Sequence, residues 1–273
     1  MPMRLDLHIH TTASDGAWSP AAVALRAAGR LDVIALTDHD TVAGIDRARD
    51  AAVGLPLHVI PAVELSSTFR GRDIHVLGYF VDPAAPALLD HEARAMGARE
   101  RRMEEMIGRL REQGIQVDMD AVLHAAGPER GSIGRPHLAR VLVEHGHAED
   151  VPDAFNRWIG DVHPAFVPIT LLDPAGAVAV VRAAGGIAVW AHPPSDLIDT
   201  LLPGLVRSGL RGLEVYRPRA NPGRAASLEQ TARTAGLVVT GGSDWHTPEA
   251  GSELGDFHVT GEEMALFLEE GGM

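Results

Sequence analysis

Leu5-Asp6-Leu7-His8-Ile9-His10-Thr11 is the stretch that decides the fold. Its apolar residues predict a strand over 5–9 that closes on two histidines. Residues two apart on a strand face the same side, so both imidazoles can meet one metal ion. Asp15 follows in the next turn. The same pattern recurs along the chain. Further strands are predicted over 33–36, 57–62, 74–79, 187–191, 212–216 and 237–240. They bring with them Thr37-Asp38-His39-Asp40, Val63-Glu64-Leu65, Asp73-Ile74-His75, Ala191-His192-Pro193 and Gly241-Gly242-Ser243-Asp244-Trp245-His246.

Helices are predicted over 20–28, 42–52, 173–184, 197–208, 222–235 and 262–269. Strand-then-helix repetition implies parallel strands with right-handed crossovers, hence an α/β sheet or barrel. Acids and histidines at the carboxyl ends of such strands mark the face that carries active sites in barrels. One segment breaks the alternation. Residues 86–168 show helical patterns and no strand, with helices expected over 91–113, 136–145 and 152–158. Met96, Met103, Met106, Ile107 and Leu110 form the expected inner face of the long one. The reading is therefore a barrel of residues 1–85 and 169–273 with a helical insertion at 86–168.

The strand ends offer nine ligands: His8, His10, Asp15, His39, Glu64, His75, His192, Asp244 and His246. Nine are too many for one ion and suit two or three. Imidazole and carboxylate together favour Mn²⁺, Fe²⁺ or Zn²⁺ over Mg²⁺ or Ca²⁺. Glu64 or Asp244 would bridge. His58, His91, His124, His145, His147, His163 and His258 read as ordinary surface or core residues.

Composition narrows the chemistry. The 273 residues include no cysteine, and every one of the 24 basic residues is arginine. That excludes thiolate nucleophiles, iron–sulfur clusters, Schiff bases and P-loop nucleotide hydrolysis. Arginine is left as the only fixed cation for a phosphate. A net charge of −13 argues against a surface that coats nucleic acid. No apolar run reaches the roughly 18 residues of a membrane span, and Met1-Pro2-Met3-Arg4-Leu5-Asp6 lacks a signal-peptide core. A cytoplasmic protein with no stable protein partner is expected.

The stretch from Asp6 to Gly16 resembles the first motif of the PHP (polymerase and histidinol phosphatase) family. Thr37-Asp38-His39-Asp40-Thr41 resembles its second motif, and the Gly241 to His246 stretch its last. Glu64, His75 and Ala191-His192-Pro193 fall where that family also places ligands. Within it the chain is similar to the TrpH/YciV-like branch. That branch includes nucleoside 3′,5′-bisphosphate phosphatases and a 5′-to-3′ exoribonuclease acting on RNA with a 5′-monophosphate. The resemblance implies a distorted (β/α)7 TIM-like barrel, the PHP fold, with an inserted small helical domain as substrate cap. It implies one ion on His8, His10, Glu64 and Asp244, a second on Glu64, His75 and His192, and a third on Asp15, His39 and His246.

Asp15, His39, Glu64, Asp244 and His246 are the expected catalytic residues. Mn²⁺ is the first expectation for the metal, ahead of Fe²⁺ and Zn²⁺. The ions would lower the pKa of a water that attacks a phosphate ester. Gly134-Arg135-Pro136-His137 also resembles this branch. Arg135 is the first choice for a phosphate clamp, because guanidinium grips phosphate in a two-pronged way. His137, Arg99 and Arg102 follow, the two arginines reading equally as a solvated helix face; Trp158 and Tyr216 read first as core packing and second as residues that could stack a base. Asp38 and Asp40 would orient ligand imidazoles. The chain departs from the family at Trp158, Asp161-Val162-His163, Arg217-Pro218-Arg219-Ala220 and Thr247-Pro248, which bears on substrate. A cyclic phosphate, a sugar phosphate or histidinol phosphate is the alternative substrate. A metal-dependent amidohydrolase and a catalytically inactive PHP binding module are the alternatives of other classes.

Overall fold

The computed structural model describes residues 2–128, 131–169, 171–248 and 253–273. Its strands are β1 (Arg4–Ile9), β2 (Val33–Leu36), β3 (His58–Phe69), β4 (Arg72–Tyr79), β5 (Ile187–Trp190), β6 (Gly212–Tyr216), β7 (Val238–Gly241) and β8 (Val259–Thr260). They form one sheet in the order β7-β6-β5-β4-β3-β2-β1-β8. The sheet curls until Ile9 bridges Trp245, just beyond β7, in parallel. The amide of His10 closes that seam by donating to the carbonyl of Trp245 at 2.9 Å. The result is a nearly closed barrel, the α/β architecture the alternation implies.

Leu5, Leu7, Ala35, Ala62, Leu77 and Val189 belong to one buried apolar cluster that ties the strands together. Helices α1 (Pro20–Ala27) and α2 (Ile45–Ala52) pack a second cluster against the outside of β1 and β2. Helices α7 (Pro174–Ala183), α8 (Ile198–Ser208) and α9 (Pro222–Thr234) pack a third against β4 to β6. A short α10 (Ala265–Glu270) lays Phe267 edge-on against Tyr79.

Not all of the sheet is parallel. β1–β2–β3 and β5–β6–β7 are, but β4 runs antiparallel to both β3 and β5. The reason is local. β3 continues to Phe69, and only Arg70 and Gly71 separate it from β4. Both have positive φ, 51° and 77°, the backbone of a two-residue hairpin turn. No crossover helix fits there. β8, antiparallel to β1, is too short to announce itself in the sequence.

The segment between β4 and β5 is helical, as expected. It holds α3 (Pro86–Glu112), α4 (Met119–Ala126), α5 (Arg135–Glu144) and α6 (Val151–Ala154), the last running into a π-turn over Phe155–Ile159. Met103, Met106, Leu110, Val122, Leu138 and Leu142 give it an apolar cluster of its own. α3 starts earlier than the pattern suggests because Pro86 occupies its first turn, where a missing N–H costs nothing. Its buried face also differs. Met96 is 42% exposed, whereas His91, Arg99 and Arg102 are buried.

Asp40 explains the burial of His91 and Arg99. Its Oδ2 accepts from Arg99 Nη2 at 2.6 Å and Nε at 2.9 Å. Its Oδ1 meets His91 Nε2 and the amide of Ser66, both at 2.8 Å. Arg99 also reaches Ser66 Oγ and the carbonyl of Ile133. This knot welds α3 to the barrel. Among the described residues, no helix is long and apolar enough to cross a membrane.

Removing one partner of a buried ion pair strands the other, at a cost of about 3–5 kcal/mol. Arg99→Ala is expected to lower the urea unfolding midpoint by that amount of stability. Asp196→Ala, which breaks an exposed pair with Arg72, is expected to leave the midpoint unchanged. Equal midpoints for all three proteins would contradict the knot.

Candidate metal centre

The strand ends converge on one cavity of about 280 Å³. His8 comes from β1, His10 follows directly after its last residue, Glu64 comes from β3 and His75 from β4. Asp15, His39, His192, Asp244 and His246 come from the loops that leave the strands. Two of these positions are strained. His192 and Asp244 have φ of 31° and 55°, a region non-glycine residues rarely occupy outside functional sites. The barrel makes room for this packing at Gly242, where any Cβ would lie 2.4 Å from the Cβ of His8.

Glu64 stands in the middle. Its Oε2 lies 3.3 Å from His8 Nε2, 3.3 Å from His10 Nε2 and 3.2 Å from His39 Nδ1. Its Oε1 lies 3.0 Å from His75 Nδ1 and 3.1 Å from His192 Nε2. Asp244 Oδ1 faces His8 Nε2 at 3.4 Å and His10 Nε2 at 3.3 Å. Asp15 reaches His246 Nε2 at 3.4 Å and His39 Nε2 at 3.8 Å. All nine sequence-identified ligands are therefore brought together.

These donors fit divalent ions. Nε2 of His8, both ring nitrogens of His10, and Nδ1 of His39 and of His75 are buried without a hydrogen bond. An unpaired buried polar atom is costly unless a ligand satisfies it. Ring nitrogens and carboxylate oxygens that all lie within 4.8 Å of one another form the groups His8–His10–Glu64, His39–Glu64–His75 and His10–Asp15–His39–His246. Burial alone would push His10 down, but Asp244, Glu64 and Asp15 push it up to about 10. Burial carries His39 the other way, to about 3, with His10 and His75 opposing its charge. Burial works against the Glu64 carboxylate too, yet His75, His39 and His8 hold it well below the usual range. Positive charge is what this pocket calls for.

One residue escapes sequence reasoning. Glu214, buried on β6, meets His8 Nδ1 at 2.7 Å with Oε1 and accepts the amide of His192 at 2.8 Å with Oε2. It fixes the ring of one ligand and the backbone of another. The available signal is a lone acid inside the apolar run Gly212-Leu213-Glu214-Val215. Asp38 and Asp40 do not take that role. Asp38 accepts from Thr11 and Ser14, and Asp40 serves the α3 knot.

The cavity wall opposite the ligands includes Arg99, Arg102, Arg135 and Phe155. Arg102 and Arg135 flank Asp73 at 3.6 and 3.7 Å. Arg102 Nη2 is buried without a hydrogen bond. Burial and the neighbouring guanidiniums lower Arg102 to about 10. Arg99 spends most of its donors on Asp40, Ser66 and Ile133. His137 turns away from the cavity, its Nδ1 accepting the amide of Gly134 at 3.0 Å and capping α5. Neither Trp158 nor Tyr216 lines the cavity. Trp158 packs in the insertion's core and donates to the His147 carbonyl, and Phe155 is the aromatic residue at the wall.

No family model matches the chain. It is 34% identical over 261 residues to a 5′-3′ exoribonuclease of Haemophilus influenzae, covering 93% of this chain and 94% of that one. It is 32% identical over 259 residues to a 3′,5′-nucleoside bisphosphate phosphatase of Chromobacterium violaceum, covering 92% and 90%. A solved structure assigned as a metal-dependent phosphoesterase of Bifidobacterium adolescentis superposes with a TM-score of 0.86 at 30% identity, covering 98% and 97%.

Partners that orient a metal-bound imidazole are typically worth about 10–100-fold in metal affinity or activity. Glu214→Gln is expected to weaken Mn²⁺ binding, measured by equilibrium dialysis, by that factor. Wild-type affinity in the variant would contradict the assignment.

Proposed function

Because the chain belongs to the PHP metal-dependent phosphoesterases, we propose that it removes the 3′-phosphate of nucleoside 3′,5′-bisphosphates and acts on 5′-phosphorylated RNA ends at the same site. Its chemistry is phosphoric-ester hydrolysis. The observation that supports the substrate reading is the placing of the candidate ion cluster and an arginine pair next to each other along β4. His75 faces Glu64, and Asp73, two residues away, faces Arg102 and Arg135. Two strand residues span about 7 Å, a gap that a ribose bearing two phosphates bridges.

His8, His10, Glu64 and Asp244 would hold one ion, with His75 and His192 joining Glu64 for a second and Asp15, His39 and His246 for a third. Bound there, divalent ions, Mn²⁺ first, supply a Lewis acid and lower the pKa of water. The chain's own residues do the rest. Arg135 and Arg102 grip the phosphate that is not cleaved, and Phe155 walls the sugar. His246, the most exposed of the clustered imidazoles, stands at the lip where the phosphoryl group arrives. Glu214 and Glu64 keep the ligand rings from rotating. Fixed donors and cations aimed at developing charge stabilise the transition state without reorganising.

Residues 86–168 act as the cap that brings Arg135 and Phe155 over the cluster. The charge of −13 favours a small substrate or short RNA over a long one. A cytoplasmic site of action fits this chemistry.

A hydrogen bond to a charged group contributes about 1.5–3 kcal/mol. Arg135→Ala is therefore expected to raise KM for a 3′,5′-bisphosphate roughly 10–100-fold and to leave the KM of an aryl monophosphate unchanged. In a Mn²⁺-supplemented steady-state panel, bisphosphates and 5′-phosphorylated oligoribonucleotides should outrank sugar and cyclic phosphates. Equal kcat/KM for all of them would contradict the reading.

A further inference from the structure

Arg217 lies just beyond β6 and has no part in the scheme above. Its Nη2 donates to Asp244 Oδ2 at 2.7 Å. Its Nε is buried without a hydrogen bond, 3.7 Å from Glu214 Oε2. The guanidinium thus stands between two carboxylates that grip opposite edges of one ring. Glu214 Oε1 holds His8 Nδ1, and Asp244 Oδ1 faces His8 Nε2. His8, Glu214, Arg217 and Asp244 close a ring of polar contacts around the centre.

The division of labour at Asp244 is what matters. Oδ1 turns to the imidazoles of His8 and His10, while Oδ2 is taken by Arg217. A carboxylate free to rotate can offer an ion both oxygens. One whose second oxygen is held by a guanidinium offers only one. Asp244 has a strained backbone, φ 55°, so its side chain gains little orientation from a relaxed strand. Pro218 restricts the backbone of Arg217 in turn, because the residue before proline disfavours helical dihedrals. The tether is therefore anchored at both ends.

We infer that Arg217 is a positioning residue that fixes Asp244 in single-oxygen presentation and sets how tightly the His8–His10–Glu64–Asp244 site holds its ion. This rests on the proposal that these residues bind metal, and it is independent of the substrate. Hydrogen-bond partners of ligating carboxylates act through the ligand and typically change affinity or activity about 10–100-fold.

The test compares wild type, Arg217→Gln and Arg217→Lys, with folding checked by circular dichroism. Mn²⁺ binding is measured by equilibrium dialysis, and kcat and KM are measured separately. The expected result is about a 10–100-fold loss of Mn²⁺ affinity in Arg217→Gln, with partial recovery in Arg217→Lys, which keeps a donor for Asp244. At saturating Mn²⁺, KM should stay unchanged while kcat falls. Unchanged Mn²⁺ affinity in both variants would overturn the inference while leaving the metal centre intact. A raised KM with wild-type Mn²⁺ affinity would overturn it as well, making Arg217 a substrate contact. If wild type binds no Mn²⁺, the metal centre and the inference fall together.

Discussion

A single buried carboxylate organises this protein. Glu64 is almost entirely removed from solvent, and five imidazoles, those of His8, His10, His39, His75 and His192, approach its two oxygens within 3.3 Å. An ionised carboxylate buried alone is prohibitively costly. Here the surrounding rings and the cations they can hold offset that cost. The two oxygens also sort the rings, with His75 and His192 on Oε1 and the others on Oε2. That partition is the geometry a shared, bridging ligand would need. The remaining ligands complete the two sides.

The insertion is tied to the same point. Ser66, two residues beyond Glu64 on β3, donates its amide to Asp40, and Asp40 holds Arg99 and His91 of α3. The helix that brings Arg102 to the cavity is thus referenced to the strand that carries Glu64. Burial works against the Asp40 charge, but Arg99 and His91 hold its carboxyl well below the usual range.

Most of the candidate ligands are legible in the sequence because His, Asp and Glu recur at or near the ends of apolar stretches. Glu214 is illegible by the same logic. It is a lone acid with no histidine beside it in sequence, and only the barrel's closure brings β6 to β1. Arg99 is misread for a different reason. Helical periodicity counts Met96 as apolar and Arg99 as exposed, but the partner that buries Arg99 is Asp40, remote in sequence. The antiparallel β4 has a faint signal in Arg70-Gly71, which helix–strand alternation overrides. The barrel class survives these errors because it depends on the strands and helices recurring rather than on each crossover.

The central claim is that Glu64 is shared between ions. Anomalous diffraction from Mn²⁺-loaded crystals tests it most directly. The account predicts separate anomalous peaks on the two sides of the Glu64 carboxylate, one beside His8, His10 and Asp244 and one beside His75 and His192. No peak in the cavity, or peaks that leave Glu64 without an ion, would contradict it.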